Sequence, residues 1–214
     1  SLQRWFPRYY RRVIRHSQTN MFRFITSIAI SLQCVMAICH AEPPRSPVDI
    51  ALSTDGSTIY VAEQTGNSLA AVDVRTFKLL KRIPLETSVT GVAIHGNKVL
   101  ATCDNNNGEL IEIDPETGKV TRRVKAGQGA RAPIVNSSGN RAYVCNYFMN
   151  SISVIDLVSF KEISRIQVLR LPTCAELSLD GKTLYVTNLL PDGPSNVKHT
   201  AAKVSVIDTA TNKA

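Results

Sequence analysis

Leu179-Asp180-Gly181-Lys182-Thr183-Leu184-Tyr185-Val186-Thr187-Asn188, followed after an insert by Val204-Ser205-Val206-Ile207-Asp208, is the clearest copy of a unit that occurs four times. The glycine of its first turn recurs as Gly56, Gly96, Gly139 and Gly181, at spacings of 40, 43 and 42 residues. Each glycine is followed by a short apolar run: Ile59–Ala62, Val99–Thr102, Ala142–Cys145 and Leu184–Thr187. A second apolar run then ends in Asp73, Asp114, Asp156 or Asp208, with a lysine five residues further on at 78, 119, 161 or 213. From glycine to aspartate the distance is 17, 18, 17 and 27 residues, the last carrying an insert over Leu189–Ala202. A fixed period of this length marks a repeat architecture.

Each copy reads as four short strands, in the first roughly Val48–Leu52, Thr58–Ala62, Leu69–Val74 and Leu79–Leu85. Asp55-Gly56 and Asp180-Gly181 read as two-residue hairpins, because the turn needs positive φ. The recurring aspartates fall in turns such as Asp114-Pro115-Glu116-Thr117-Gly118-Lys119, where a carboxylate can hold the turn's own amides. They read as turn residues, not catalytic acids. The second and third strands are apolar on both faces, which suits a sheet covered on both sides. The fourth strands carry charges, as in Val120-Thr121-Arg122-Arg123-Val124-Lys125, and lysine or arginine discourages edge pairing.

A four-stranded antiparallel sheet about every 40 residues, buried on both faces and charged at one edge, predicts an all-β fold of β-propeller blades. The run Tyr185-Val186-Thr187-Asn188, with Asp180-Gly181-Lys182 before it and Ser205-Val206-Ile207-Asp208 after it, resembles the YVTN-type propeller repeat of bacterial and archaeal surface-layer and secreted proteins. The resemblance covers about residues 47–213 and weakens most at Leu100-Ala101-Thr102-Cys103. It implies blades at about 47–86, 87–127, 128–169 and 170–214 within a propeller region 42–214. It speaks to fold more than to function, since propellers host unrelated activities.

Residues 1–20 hold five arginines and no acid, and read either as a basic arm or as sequence upstream of the true start at Met21. From Met21 the chain has the parts of a secretory signal: Arg23, a mostly apolar run Phe24–Ile38, and Cys39-His40-Ala41 with small residues at the positions a signal peptidase reads. Cleavage is expected between Ala41 and Glu42, with an uncleaved anchor as the alternative. The expected destination is the periplasm, cell surface or exterior, with membrane contact only through this segment. The leader also accounts for the net charge of +8: residues 1–41 contain six of the 25 basic residues and none of the 17 acidic ones. The remainder sits near +2, so the high pI is no argument for nucleic-acid binding.

Three cysteines follow the leader: Cys103, Cys145 and Cys174. Cys103 and Cys145 sit at neighbouring positions on equivalent strands, and could form a disulfide in an exported protein or pack as buried thiols. No Cys-x-x-Cys occurs, so no zinc site or covalent haem is visible, and no cofactor or metal site is expected in this segment. No Gly-x-Ser-x-Gly, phosphate loop or paired-carboxylate motif occurs either. One face of a propeller collects the blade-to-blade linkers and the second-to-third-strand loops. Here these are Gly127–Pro133, Arg170–Thr173 and the insert Leu189–Ala202. Arg131 stands at the start of an inner strand, where a cation could meet an anionic ligand or pair with a neighbouring blade. Asp192, Asn196, Lys198 and His199 in the insert are the other candidate contacts.

The chain stops right after the last third-to-fourth-strand turn. Propellers close with about four to eight blades, so this reads as an N-terminal fragment lacking C-terminal blades or a further domain. The expected function is an exported binding or scaffold module for a protein, glycan or other ligand, without catalysis in this segment. The alternative is the propeller portion of a larger periplasmic oxidoreductase, cytochrome c or peroxidase-like, with its catalytic region beyond Ala214. A lactonase-type hydrolase is a third option that lacks visible metal carboxylates.

Overall fold

Glycine and aspartate at the turns, with apolar residues between them, divide the chain into four sheets. The computed structural model describes residues 44–190 and 203–214. The leader, the cleavage position at Ala41 and Glu42, and insert residues Asp192, Asn196, Lys198 and His199 lie outside them. The first sheet is β1 (Pro47–Leu52), β2 (Thr58–Glu63), β3 (Ser68–Asp73) and β4 (Leu79–Pro84). The second is β5 (Ser88–His95), β6 (Lys98–Asp104), β7 (Glu109–Ile113) and β8 (Val120–Lys125). The third is β9 (Ala130–Val135), β10 (Arg141–Asn146), β11 (Ser151–Asp156) and β12 (Lys161–Gln167). The fourth holds β13 (Pro172–Leu177), β14 (Thr183–Asn188) and β15 (Lys203–Asp208). All are antiparallel meanders in sequence order. The result is an incomplete β-propeller of four blades.

The blades pack face to face through three apolar layers, set by the two-residue period of the strands. Tyr60, Ala62, Leu69, Ala71 and Ile83 of blade 1 meet Val89, Val99, Ala101, Cys103, Ile111 and Ile113 of blade 2. Leu100 and Leu110, on the opposite face of blade 2, meet Ala142, Val144, Ile155, Leu157 and Phe160 of blade 3. Tyr143, Cys145, Ile152 and Val154, on the far face of blade 3, meet Ala175, Leu184, Val186 and Ile207 of blade 4. Each fully buried leucine, isoleucine or valine contributes about 1.5–3 kcal/mol. The outward faces of blades 1 and 4 are less covered: Ile50 is 66% exposed and Val206 54%.

This alternation corrects the disulfide option. Both thiols are free and buried. Cys103 points into the layer between blades 1 and 2, and Cys145 into the layer between blades 3 and 4. They are one step out of phase on their strands, so they face opposite ways.

The turns differ from expectation in one respect. Asp55-Gly56 and Asp180-Gly181 are not two-residue hairpins. Gly56 N–H donates to the Ser53 carbonyl and Gly181 N–H to that of Ser178, which closes a β-turn with glycine in its last position. Asp55 Oδ1 then accepts from Ser53 Oγ at 2.6 Å and from the Ser57 amide at 3.1 Å. The true two-residue loop is Gly96-Asn97, flanked by the pair His95 and Lys98. The aspartates at the second turn behave as read: Asp73, Asp114, Asp156 and Asp208 each accept from the amide three residues on, at 2.7, 3.2, 2.6 and 2.7 Å.

The outer-strand cations also reach across the seams. Lys81 Nζ donates to the Glu116 carbonyl at 3.1 Å, and Arg122 Nη1 to that of Leu157 at 2.9 Å. Arg165 Nη2 donates to the Ala126 carbonyl.

Candidate ligand-binding site at the channel mouth

The first strands of successive blades lie side by side: β1 against β5, β5 against β9, β9 against β13. β5 and β9 approach closely because Gly91 has no side chain, and a Cβ there would stand 2.7 Å from the Ala132 nitrogen. Each strand opens with a residue paired to the last position of its neighbour: Pro47 with Glu63, Ser88 with Asp104, Ala130 with Asn146, Pro172 with Asn188. The pairing then slips. In blades 1, 2 and 4 the unpaired residue is Val48, Thr90 and Thr173. In blade 3 the slip comes slightly later, at Ala132-Pro133, with Ala132 at φ 46°. A bulge of this kind re-aims a side chain out of the regular alternation.

Val48, Thr90 and Thr173 at these slips, and Arg131 just before the one in blade 3, line one cavity of about 270 Å³ with Asp49, Gln64, Ala132 and Cys174. Thr90 Oγ1 is committed to the fold, donating to the Ala130 carbonyl. Thr173 Oγ1 lies 2.9 Å from Thr187 Oγ1. Asp49 is pinned by two amides: Oδ1 accepts from Ile50 and Oδ2 from Val92 of the next blade, both at 2.9 Å. Burial pushes its carboxyl upward, and this outweighs the two amides that lower it. The Gln64 side-chain amide makes no hydrogen bond among the described residues.

Arg131 is half-buried. Its guanidinium carbon lies 4.1 Å from the ring centroid of Tyr147, and Nε donates weakly, at 3.4 Å, to the Gly129 carbonyl. Among the described residues no carboxylate lies within ion-pair distance of it. A cation stacked on an aromatic face keeps the donors on its rim free for a planar anion.

Of the loops predicted to share a face, the described parts do so: Gly127–Pro133, Arg170–Thr173 and the first two residues of the insert. Tyr147 and Phe148 donate their amides to the carbonyls of Gly129 and Gln128, at 3.3 and 3.2 Å. Leu189 and Leu190 do the same to Leu171 and Arg170, at 3.0 and 3.4 Å. The turn Tyr147–Met149 exposes Phe148 next to the Tyr147 ring that carries Arg131, while exposed Met149 lies by Arg165. Of the predicted site residues, the structure places Arg131 at this mouth, and the start of the insert beside the same face. Asp49, Gln64, Cys174 and Tyr147 were missed. Lining up the repeats on Tyr60, Tyr143 and Tyr185 puts Asp49 and Cys174 in the column next to Arg131, and Gln64 and Tyr147 together in another. Among the described residues no group of three or more His, Cys, Asp or Glu is placed to hold a metal ion.

Successive antiparallel sheets of four strands, three in the last, with inner-strand residues of all four lining one cavity, define a β-propeller fold. The chain belongs to the YncE-like β-propeller family, whose model matches residues 43–214. It is 26% identical over 145 residues to YncE, an uncharacterized protein of Salmonella typhi, and to YncE of Salmonella typhimurium. The match covers 64% of this chain and 40% of each relative. Among solved structures it resembles hydrazine synthase from Kuenenia stuttgartiensis, with a TM-score of 0.70 and 25% identity, over 81% of this chain and 49% of that one. The chain therefore spans less than half the length of the proteins it matches.

Proposed function

We propose that the protein is an exported binding or scaffold module that engages its partner through the channel-mouth face. One observation carries the reading: inner-strand residues of all four blades converge on one cavity, and its cation, Arg131, has no carboxylate partner among the described residues. An oriented charge, uncompensated among the described residues, near exposed Phe148 supplies the kind of anchor that recognition surfaces use. The leader beginning at Met21 supports export.

The test uses a photoreactive amino acid placed in the full-length protein, in its native host. It goes at Phe148 on this face or at Phe77, in the turn after Asp73 on the opposite face. Discrete crosslinked species from position 148 alone are expected. The same species from both positions, or none from 148, would overturn the proposal.

The likeness to a hydrazine synthase chain favours a second reading, the propeller portion of a larger oxidoreductase. Covalent haem on the full-length protein, seen by haem staining, would move the function there.

A further inference from the structure

The cavity at the channel mouth is charged on two walls. Arg131 extends from β9, and Asp49 from β1, two blades away. The two do not pair, so neither neutralises the other. Each is instead held in place by groups that leave it chemically competent. Arg131 is stacked on Tyr147, and Asp49 is fixed by the amides of Ile50 and Val92. A carboxylate has about four acceptor sites, so two amides leave room for a further donor. The Gln64 amide, the Cys174 thiol and the apolar Val48 and Ala132 line the same cavity. At about 270 Å³ the cavity falls below the usual drug-sized range of about 300–1,000 Å³. A ligand that satisfies both walls at once carries a carboxylate and an ammonium group a short distance apart.

We infer that this cavity binds a small zwitterion of the free amino-acid type, its carboxylate on Arg131 and its ammonium on Asp49. Arg131 supplies the planar donor fork that matches a carboxylate. Asp49 supplies the opposite charge, and Gln64 a neutral hydrogen-bonding group for either end. The inference rests on the reading of this face as a recognition surface and names what its central cavity takes.

The experiment is calorimetric titration of the full-length protein with free L-amino acids. Each is compared with its deaminated acid and its decarboxylated amine, for alanine propionate and ethylamine. Saturable binding of at least one amino acid is expected, weakened about tenfold or more when either end is removed. Arg131→Gln and Asp49→Asn should each weaken it by a similar factor, with unchanged melting curves showing that the fold survives. Asn keeps an oxygen for one amide, which protects the fold in that variant. No saturable amino-acid binding by the wild type overturns the inference. So does binding of the deaminated acid as tight as that of the amino acid, with Asp49→Asn silent. Crosslinking from position 148 without amino-acid binding would overturn this inference and leave the partner reading standing. Amino-acid binding without crosslinking would do the reverse.

Discussion

Arg122 Nη1 donates to the Leu157 carbonyl at 2.9 Å, joining the outer strand of blade 2 to a turn of blade 3. The same guanidinium pairs with the buried Glu112 carboxylate and lies over the Phe160 ring, 4.4 Å from its centroid. Arg122→Met would leave Glu112 without its cation and Leu157 without its donor. The expected loss is about 1–3 kcal/mol, or about 2–4 °C of melting temperature per kcal/mol at this size. Replacing Glu112 by Gln in the same chain should restore part of it. A single variant that melts like the wild type would show that the contact contributes nothing.

Acid should loosen the turns before the cores. Asp55 is lowered from 3.8 to about 2, first by the Ser53 hydroxyl and then by the Ser57 amide. Asp114 is lowered to about 2, first by Lys98 and then by the Thr117 amide. The folded state therefore holds these carboxylates ionised more tightly than the unfolded chain does. That contribution is complete above the ordinary carboxylate range and is withdrawn as pH falls toward about 2. Melting temperature should be level above pH about 5 and decline below about 4. Asp55→Asn with Asp114→Asn should flatten the decline, and an unchanged slope would refute the assignment.

Two glycines with positive φ should respond differently to alanine. At Gly108, φ is 64° and a Cβ would overlap the Gly127 carbonyl in the linker to blade 3. At Gly96, φ is 59° and nothing lies within 4 Å. Gly96→Ala should cost about 1–2 kcal/mol, for the left-handed backbone alone. Gly108→Ala adds about 1–3 kcal/mol of overpacking. Chemical denaturation of the pair would show a clear gap, and equal losses would argue against the close approach of the two loops.

The three cysteines after the leader should separate by reactivity. Burial pushes the Cys145 thiol up to about 12, with nearby Cys174 adding to the shift, and burial raises Cys103 as well. Cys174 is exposed. A thiolate-specific alkylating agent should label Cys174 in the native protein, and Cys103 and Cys145 only after unfolding. A Cys103–Cys145 crosslinked peptide recovered from the native protein would contradict the observed blade packing.

The repeat was legible because glycine, aspartate and lysine recur where the backbone or its hydrogen bonds require them. Gly56 and Asp73 are examples that local chemistry settles. Arg131 was legible as a channel-mouth cation from its place at the start of an inner strand. The facing of Cys103 and Cys145 was available from strand parity, since Cys103 aligns with Asn146 and one step reverses the face. The approach of Asp49 to the Val92 amide, 43 residues on, was not available. It depends on the rotation between adjacent sheets, which spacing along one chain does not encode. The contact from Arg122 to Leu157 was hidden for the same reason, and read only as a charged edge.

The slipped pairing at the start of each inner strand has a consequence for how such a molecule can change. The side chains at or beside that slip lie outside the three apolar layers that hold the blades together, although Thr90 also bonds the next blade. The chain itself shows the freedom this gives, with valine, threonine, arginine and threonine at 48, 90, 131 and 173 on closely similar frameworks. The chemistry of the rim can then be rewritten at positions such as 48 and 131 at little cost to folding, while Thr90 stays tied to Ala130, which makes the rim a keyboard set into a fixed frame.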